Sequence, residues 1–249
     1  ALRPVRGRIV IGEGERDEAP MLFIGEEVGT GTGPEIDIAL DPLEGTTLTA
    51  WGMNNALVVV SFSPRGGLLN APDTYMDKIA IGPGMPTGVI DLDASPQDNV
   101  VNLARAKGVS PSEITVCVLE RERHQYIIDG VKSVGGRVRL ISDGDVAGIM
   151  GAAGLGTGVD MYIGRGGAPE GVLAASALRC IGGQMQARLY FRTDDERERA
   201  RRIGVTDLDR KYELDELASG QCLFVAAGVT QGDLVDAVHR ADGMVHTHT

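Results

Sequence analysis

Segments with strand periodicity alternate with segments of helical periodicity along most of this chain, and glycine-rich turns separate them. The segment from Ala56 to Phe62 is almost continuously apolar, as expected for a strand that is buried on both faces. Beyond residue 94 the alternation becomes regular, which is typical of a parallel or mixed sheet with helices on its faces. The sequence therefore predicts an α/β fold of two packed lobes, residues 1–94 and residues 95–249.

Turn and capping residues set the predicted limits of the individual elements. Ser95, followed by Asp98 three residues later, predicts the start of a helix, and Gly108 predicts its end after Lys107. The other predicted helices are 123–134, 169–180 and 194–203. The other predicted strands are 8–11, 35–40, 77–81, 115–119, 137–141 and 159–163.

The balance of charges argues against two broad classes of partner. The chain carries 24 Lys and Arg against 35 Asp and Glu, a net charge of -11. Nucleic acids and anionic membranes are bound through clustered positive charge. We therefore expect neither a nucleic acid nor a membrane as partner.

Cysteine usage and hydropathy indicate the compartment. Cys117, Cys180 and Cys222 lie far apart in apolar stretches and lack the spacing of a metal-binding set, so we interpret them as buried thiols in a reducing compartment. No apolar run approaches the ~20 residues that span a bilayer, and no signal-like apolar segment follows the first residues. A cytoplasmic location is expected.

The 35 glycines do not form a nucleotide-binding motif. No predicted strand is followed by G-x-G-x-x-G, and no G-x-x-x-x-G-K-[ST] is present. We therefore expect neither a nicotinamide enzyme nor a nucleoside-triphosphate enzyme of the usual kinds.

The most informative segment reads DPLEGTT and begins at Asp41. The predicted strand delivers Asp41 at its carboxyl end, and Glu44 three residues later can return to the same side. The segment thus offers two hard oxygen ligands for Mg²⁺ beside the N–H groups of Gly45 and Thr46, which could hold a phosphate oxygen. An ordinary turn, in which Asp-Pro and Glu-Gly serve only the backbone, is the alternative.

Two further acidic turns follow predicted strands. Residues 12–15 read GEGE, and residues 166–171 read GGAPEG, which places Glu170 at a helix N-terminus. An isolated Glu170 is well explained as a partner of the helix dipole. Three acidic turns at strand ends in one chain indicate instead a metal-binding crevice. A bound divalent cation would also let so acidic a chain handle a phosphate.

Five segments together resemble the class II fructose-1,6-bisphosphatases of the lithium-sensitive phosphatase superfamily. The segments occur in the family's order: IGEGERDEAPML (11–22), DPLEGT (41–46), NAPDTYM (70–76), DGDV (143–146) and GGAPEG (166–171). The first and last are specific to class II, whereas DPLEGT marks only the superfamily. The start of the chain is similar to the bifunctional fructose-1,6/sedoheptulose-1,7-bisphosphatases of photosynthetic carbon fixation. The resemblance implies a layered αβαβα sugar-phosphatase fold.

The resemblance also implies a reaction and its metal ligands. It implies that Mg²⁺ or Mn²⁺ supports hydrolysis of the 1-phosphate of fructose 1,6-bisphosphate, in a homo-oligomer that is a dimer or a tetramer. Thr46 would polarise the attacking water, with Asp17 as its acidic partner. Since a threonine hydroxyl is neutral at pH 7, Thr46 should orient water and relay a proton rather than act as a base. The implied metal ligands are Glu13, Asp41, Glu44 and Glu170.

The implied substrate-binding residues divide by chemistry. Arg121 and Arg123 could grip the phosphate that is not cleaved, whereas Asp143 and Asp145 could accept hydrogen bonds from sugar hydroxyls. The alternatives are a solvated helix start for the two arginines and an ordinary half-buried tyrosine at position 75. The implied set is Glu44, Gly45, Thr46, Tyr75, Arg121, Glu122, Arg123, Asp143, Gly144, Asp145 and Gly167.

Several interpretations stay open at the level of sequence. The family carries a further metal-ligating aspartate and a lysine in a segment that would precede Ala1, so the number of metal ions is open. Arg165 replaces a usually apolar residue and could touch phosphate or a second subunit, while His124 is interpreted as a surface residue at a helix start. The alternative functions are an inositol or nucleotide monophosphatase of the same superfamily and a non-catalytic sugar-phosphate sensor.

Overall fold

Two mixed β-sheets form the framework of the computed structural model, which describes residues 4–13, 21–154 and 156–249. The predicted α/β class is confirmed. The strands are β1 Arg6–Ile11, β2 Glu27–Gly29, β3 Glu35–Glu44, β4 Leu57–Pro64, β5 Tyr75–Ile81, β6 Thr115–Leu119, β7 Arg137–Ile141, β8 Met161–Gly167, β9 Gln184–Tyr190, β10 Lys211–Glu213, β11 Leu223–Gly228, β12 His239–Ala241 and β13 Met244–His246. The helices are α1 Thr46–Ala50, α2 Pro96–Lys107, α3 Gln125–Ser133, α4 Asp145–Gly151, α5 Ala168–Ile181, α6 Asp194–Arg202 and α7 Leu214–Leu217.

The first sheet has the order β11-β4-β3-β1-β2, with β1 parallel to β3 and the other pairs antiparallel. The second has the order β10-β9-β5-β8-β6-β7, with β6 parallel to both β7 and β8. Strands β12 and β13 form a separate hairpin. Strand β5 precedes residue 94 yet pairs in the second sheet, and β11 comes late in the chain yet pairs in the first. The chain therefore crosses between the two sheets more than once.

Helix α5 links the two sheets. It contacts β3, β4 and β11 of the first sheet and β5, β8 and β9 of the second. Nine of its residues, from Ala168 to Leu178, are buried. The helix is therefore apolar around most of its circumference, as expected for a helix that is packed on several sides. Its N-terminal turn, which carries Glu170, is thereby held where strands of both sheets meet.

Helices α2 and α3 cover another part of the second sheet. Val100 and Leu103 of α2 and Ile127 and Val131 of α3 are buried in one apolar cluster with residues of β5, β6 and β8. The predicted caps of α2 are confirmed: the Ser95 hydroxyl accepts a hydrogen bond from the Asp98 N–H at 3.2 Å, and Gly108 has the left-handed φ of 70°. Capping here is a local property, so the sequence alone sufficed.

Some predicted limits need correction. Strand β3 does not end at residue 40, because its pairing with β4 continues through an irregular register between Asp41 and Glu44. Strand β8 likewise continues to Gly167, since its glycines pair with β5 up to Tyr75. The helix predicted from residue 123 begins instead as a 3₁₀ turn, Glu122–His124, followed by α3. Strands β2 and β9 to β13 and helices α4 and α7 were not predicted.

The cysteine interpretation is only partly correct. Cys117 is buried in β6, but Cys180 near the end of α5 is exposed and Cys222 is half-buried. The last turn of α5 extends past the packed part of the helix, where Ile181 is exposed as well. Among the described residues, no helix is long and apolar enough to cross a membrane.

Candidate active site

A cavity of about 540 Å³ brings together most of the predicted site residues. The predicted residues that line it are Glu13, Asp41, Glu44, Gly45, Thr46, Tyr75, Arg121, Arg123, Asp143, Asp145, Gly167 and Glu170. Glu122 is exposed in the 3₁₀ turn and does not line this cavity, and Gly144 lines a neighbouring one. Asp17 lies outside the described residues. Segments far apart in sequence thus converge on one site.

Glu44 is the most deeply buried carboxylate of the cavity, with 3% of its surface exposed. Its Oε1 accepts a hydrogen bond from the Val146 N–H at 2.9 Å, which joins the end of β3 to the start of α4. Its Oε2 is enclosed and has no hydrogen-bond partner among the described residues. Burial raises the pKa of Glu44 well above its usual value, and the nearby carboxylates of Asp145, Asp41 and Glu170 raise it further, against the lowering effect of the Val146 N–H.

Asp41 and Glu13 come from the adjacent strands β3 and β1. The Asp41 Oδ1 accepts the Leu43 N–H at 2.9 Å within the irregular part of β3. Burial raises the pKa of Asp41, and the charges of Glu13 and Asp143 add to the rise. Glu13 is separated from the end of β1 by Gly12 alone and donates its backbone N–H to the carbonyl of Leu22 at 3.0 Å. Parallel pairing of β1 with β3 therefore places the two carboxylates at one edge of the sheet.

Two glycines make room for two carboxylates. A Cβ at position 166 would lie 1.8 Å from Asp145 Oδ2, and a Cβ at position 167 would lie 1.8 Å from Glu170 Oε2. Any other residue in either place would displace a carboxylate. The Gly-Gly pair of the GGAPEG segment is thus explained by packing against Asp145 and Glu170.

Glu170 lies in the first turn of α5. Its Oε2 is enclosed without a hydrogen-bond partner among the described residues. Burial raises the pKa of Glu170, the Lys78 ammonium opposes that rise, and the charges of Asp145 and Asp41 add to it. The helix N-terminus favours the ionised form, yet no described residue donates to the enclosed oxygen.

Lys78 is a buried cation beneath the site that the sequence analysis missed. The side chain is fully buried, forms an ion pair with Asp145 and donates to the Gly167 carbonyl at 2.9 Å. A lysine inside a mostly apolar strand, as in YMDKIAI, was the available signal. Lys78 supplies a fixed positive charge among carboxylates that would otherwise repel one another.

We expect Lys78→Met to lower the free energy of unfolding by about 3–5 kcal/mol, because the buried Asp145 carboxylate would lose its counter-ion. Urea denaturation without added metal measures this. Lys107→Met is the control: Lys107 pairs with Asp160 but its side chain is 34% exposed, and it should cost at most about 1 kcal/mol. Equal losses in the two variants would contradict the importance of the buried pair.

Gly45 and Thr46 form the turn between β3 and α1. Gly45 has φ 88° and ψ 51°, a left-handed conformation that glycine adopts without strain. Thr46 is the first residue of the short helix α1, is exposed and lines the cavity, whereas its neighbour Thr47 does not line it. The two threonines therefore differ in their access to the site.

Two arginines and a tyrosine line the same cavity. Arg121 donates to the Ser142 carbonyl and Arg123 to the Arg165 carbonyl, each at 2.8 Å. The Arg123 guanidinium lies 5.1 Å from the centre of the Tyr75 ring. Neither guanidinium is ion-paired with a carboxylate of the described part of the chain.

Two further arginines lie nearby, and neither lines the cavity. Arg165 donates to both Asp77 oxygens, at 2.8 and 2.9 Å, and its guanidinium lies 3.3 Å from the centre of the Tyr190 ring. Arg192 lies 4.7 Å from the Tyr75 ring centre and is paired with Glu196. The phosphate contact considered for Arg165 is therefore not favoured, because its charge is matched by Asp77.

His124 is not a surface residue, so that prediction is wrong. It has 1% of its surface exposed and bonds through both ring nitrogens, to the Leu119 carbonyl at 2.8 Å and to the Arg165 N–H at 2.9 Å. The neighbouring Arg123 and Gln125 are exposed, so charge and sequence position gave no sign of burial. Pairing of β6 with β8 brings Arg165 within reach of the ring.

Comparison with known proteins identifies the chain. A family model described as bacterial fructose-1,6-bisphosphatase, glpX-encoded, matches residues 2–249. The chain belongs to this family. A protein of Synechococcus sp. (strain JA-3-3Ab), named D-fructose 1,6-bisphosphatase class 2/sedoheptulose 1,7-bisphosphatase, is 43% identical over 99% of this chain and 78% of its own length. A relative of the same name from Prochlorococcus marinus (strain NATL1A) is 43% identical over 94% of this chain and 74% of its own length.

Fructose-1,6-bisphosphatases of this family depend on divalent metal, and the residues of the cavity fit such an ion. The donors are carboxylates, and two enclosed oxygens, Glu44 Oε2 and Glu170 Oε2, lack a partner among the described residues. Within the same residues, however, no three His, Cys, Asp or Glu side chains already converge on one point. Mg²⁺ commonly binds through one or two carboxylates, waters and substrate phosphate oxygens rather than in an all-protein cage. The open arrangement suits that mode of binding.

Proposed function

We propose that this chain hydrolyses the 1-phosphate of fructose 1,6-bisphosphate, giving fructose 6-phosphate and phosphate, and that it acts on sedoheptulose 1,7-bisphosphate as its named relatives do. It is a phosphoric monoester hydrolase. One observation carries the proposal: a single cavity is lined both by carboxylates with unsatisfied oxygens and by arginines with no acidic partner among the described residues. A bisphosphate needs both sets of groups. The carboxylates, through a metal ion, would serve the phosphate that is cleaved, and the arginines would bind the phosphate that is kept.

The cleaved phosphate would lie beside Glu44, Gly45 and Thr46. Glu13, Asp41, Glu44 and Glu170 would hold Mg²⁺ or Mn²⁺, which supplies charge neutralisation at the phosphate and a more acidic bound water. The Thr46 hydroxyl would orient the attacking water and relay its proton, with Asp17 as the acidic partner. Water attacks phosphorus, the bond from phosphorus to the C1 oxygen breaks, and a proton is delivered to that oxygen.

The kept phosphate would lie beside Arg121, Arg123 and Tyr75. Guanidinium groups bind phosphate oxygens in pairs, and the tyrosine hydroxyl can donate one further hydrogen bond. Asp143 repels phosphate but accepts hydrogen bonds from sugar hydroxyls, and Asp145, Gly167 and the neighbouring Gly144 and Glu122 complete the proposed substrate set. Asp145 would do so while remaining paired with Lys78.

The proposal extends to assembly and ancestry. We place the chain in the lithium-sensitive phosphatase superfamily, with two packed lobes, residues 1–94 and 95–249, in a layered αβαβα arrangement. Each lobe would then lend one strand, β5 or β11, to the sheet of the other. A homo-oligomer, dimer or tetramer, is part of the same proposal.

Release of phosphate tests the proposal against its alternatives. A malachite-green assay would compare fructose 1,6-bisphosphate and sedoheptulose 1,7-bisphosphate with inositol and nucleotide monophosphates, each with and without Mg²⁺. We expect release from the bisphosphates only when metal is present. Preferred release from a monophosphate would favour the inositol or nucleotide phosphatase, and binding without release would favour the sugar-phosphate sensor.

We expect Arg123→Ala to raise KM for fructose 1,6-bisphosphate by roughly tenfold or more, because a hydrogen bond between two charged groups is lost. KM for fructose 1-phosphate should change much less, because that ligand has no remote phosphate. Arg197→Ala is the matched control, since Arg197 pairs with Asp194 near Phe191 and does not line the cavity. An equal rise in KM for both substrates would show that Arg123 does not bind the remote phosphate.

A further inference from the structure

His124 connects the two strands that frame the arginine side of the cavity. Its Nδ1 lies 2.8 Å from the Leu119 carbonyl at the end of β6, and its Nε2 lies 2.9 Å from the Arg165 nitrogen in β8. A carbonyl can only accept a hydrogen bond and an amide N–H can only donate one. The ring is therefore neutral, with its proton on Nδ1, and bonds at both nitrogens.

The partners of His124 bracket the residues that face the kept phosphate. Leu119 precedes the turn that carries Arg121 and Arg123, and Arg165 precedes the glycines that line the cavity. The Arg123 guanidinium donates to the carbonyl of the same Arg165 whose N–H binds His124. The Arg123 side chain thus binds the carbonyl of Arg165, and the His124 side chain binds the N–H of the same residue.

The surroundings of the ring favour its neutral form. It has 1% of its surface exposed, and the charged groups that face it are Arg123, Arg165 and Asp145. Burial lowers the pKa of His124 and the two arginines lower it further, against the Leu119 carbonyl and Asp145. The neutral acceptor at Nε2 that the Arg165 N–H requires is therefore maintained near neutral pH.

Packing alone does not account for a histidine here. The apolar residues Ile127, Ile128 and Val131 already anchor α3 in the core. A leucine at position 124 would fill a similar volume but would leave a buried carbonyl and a partly buried N–H without partners. The imidazole therefore fixes the distance between β8 and the turn that carries Arg121 and Arg123.

We propose that His124 is a positioning residue for the kept phosphate: it holds the turn bearing Arg121 and Arg123 against β8, so that both guanidinium groups are preorganised at a fixed distance from Gly167. The proposal rests on the proposed function, in which these arginines bind the remote phosphate. Preorganised groups bind more tightly because less ordering is lost on binding. His124 touches no reacting atom, so its effect should appear in substrate binding and not in the chemical step.

We expect His124→Leu to raise KM for fructose 1,6-bisphosphate roughly tenfold while kcat stays within about twofold, since the two lost hydrogen bonds serve binding alone. The dissociation constant of fructose 6-phosphate, which keeps the remote phosphate, should rise by a similar factor in calorimetry without added metal. His124→Asn, which can retain the bond to Leu119, and His124→Gln, which can retain the bond to Arg165, should each recover part of the loss.

Asn99→Leu is the control for general destabilisation. Asn99 is a buried polar residue of α2 that exchanges hydrogen bonds with the backbone of Asp91 at 2.8 and 2.9 Å, and it does not line the active-site cavity. The variant should lower the melting temperature without changing KM. If His124→Leu fails to fold, His124→Gln serves the same comparison with one bond retained.

The outcomes separate this inference from the proposed function. If the wild-type chain is active and the His124 variants change KM no more than Asn99→Leu, His124 is merely structural and the inference is wrong. If the wild-type chain binds fructose 6-phosphate but releases no phosphate from the bisphosphate, the proposed function fails. In that case a roughly tenfold weaker binding of fructose 6-phosphate by His124→Leu still supports the inference, and unchanged binding overturns it.

Discussion

Thr46→Ala is expected to lower kcat for phosphate release by roughly 10² or more, the range for removing a positioned proton-transfer group. The threonine follows Gly45 directly and lines the same cavity as the carboxylates that would hold the metal ion. Thr46 is exposed, so folding and substrate binding should be preserved. Steady-state kinetics with fructose 1,6-bisphosphate, together with the dissociation constant of fructose 6-phosphate, measures both.

Two variants control for side-chain removal at this turn. Thr46→Ser keeps the hydroxyl and should retain part of the activity. Thr47→Ala should retain most of it, because Thr47 belongs to the same short helix but does not line the cavity. If kcat of Thr46→Ala stayed within a few fold of wild type, Asp17 or Glu15 would have to orient the water instead. Both lie outside the described residues.

Removal of divalent metal is expected to abolish turnover completely, and either Mg²⁺ or Mn²⁺ should restore it. The enclosed oxygens of Glu44 and Glu170 lack any donor among the described residues, and the pKa values of both groups are raised by burial and by neighbouring carboxylates. A hard cation satisfies such oxygens, whereas zinc prefers nitrogen and sulfur ligands, and no His or Cys is among the described residues that line the cavity. Activity measured before and after EDTA, followed by metal titration, checks the expectation.

Lithium and a binding measurement complete this test. Lithium should inhibit if the chain shares the chemistry of the lithium-sensitive phosphatases. Glu44→Gln should weaken Mg²⁺ binding in calorimetry. Glu198→Gln should leave it unchanged, because Glu198 is an exposed residue of α6 that does not line the cavity. Full turnover in excess EDTA would exclude a metal-dependent reaction.

The parts of the site that could be predicted from sequence are those built by short segments. The DPLEGT turn needs a glycine with positive φ, a carboxylate before it and a hydroxyl after it, and all of these are adjacent in the chain. The caps of α2 are equally local. The resemblance of five such segments to one family supplied the site residues, and most of them converge on one cavity.

Elements that depend on pairing between distant strands were less predictable. The DPLEGT segment was predicted as a turn after a strand, yet β3 continues through it because β4 provides hydrogen-bond partners as far as Glu44. The glycines after residue 163 were predicted as a loop, yet β5 extends the strand to Gly167. Periodicity detects the buried middle of a strand, whereas its end is set by its neighbour.

The sequence by itself predicted the chemical groups of the candidate site: carboxylate oxygens, a hydroxyl at a tight turn and two arginines. Only the tertiary structure decided how the remaining charges are matched. Lys78, His124 and Arg165 are similar basic residues in the sequence. In the structure Lys78 pairs with Asp145, His124 joins β6 to β8, and Arg165 within β8 is matched by Asp77. The reason is physical: burying a polar or charged group costs free energy unless it has a partner, and Asp145, Arg165 and Asp77 lie 67, 41 and 88 positions from the residues that they bind.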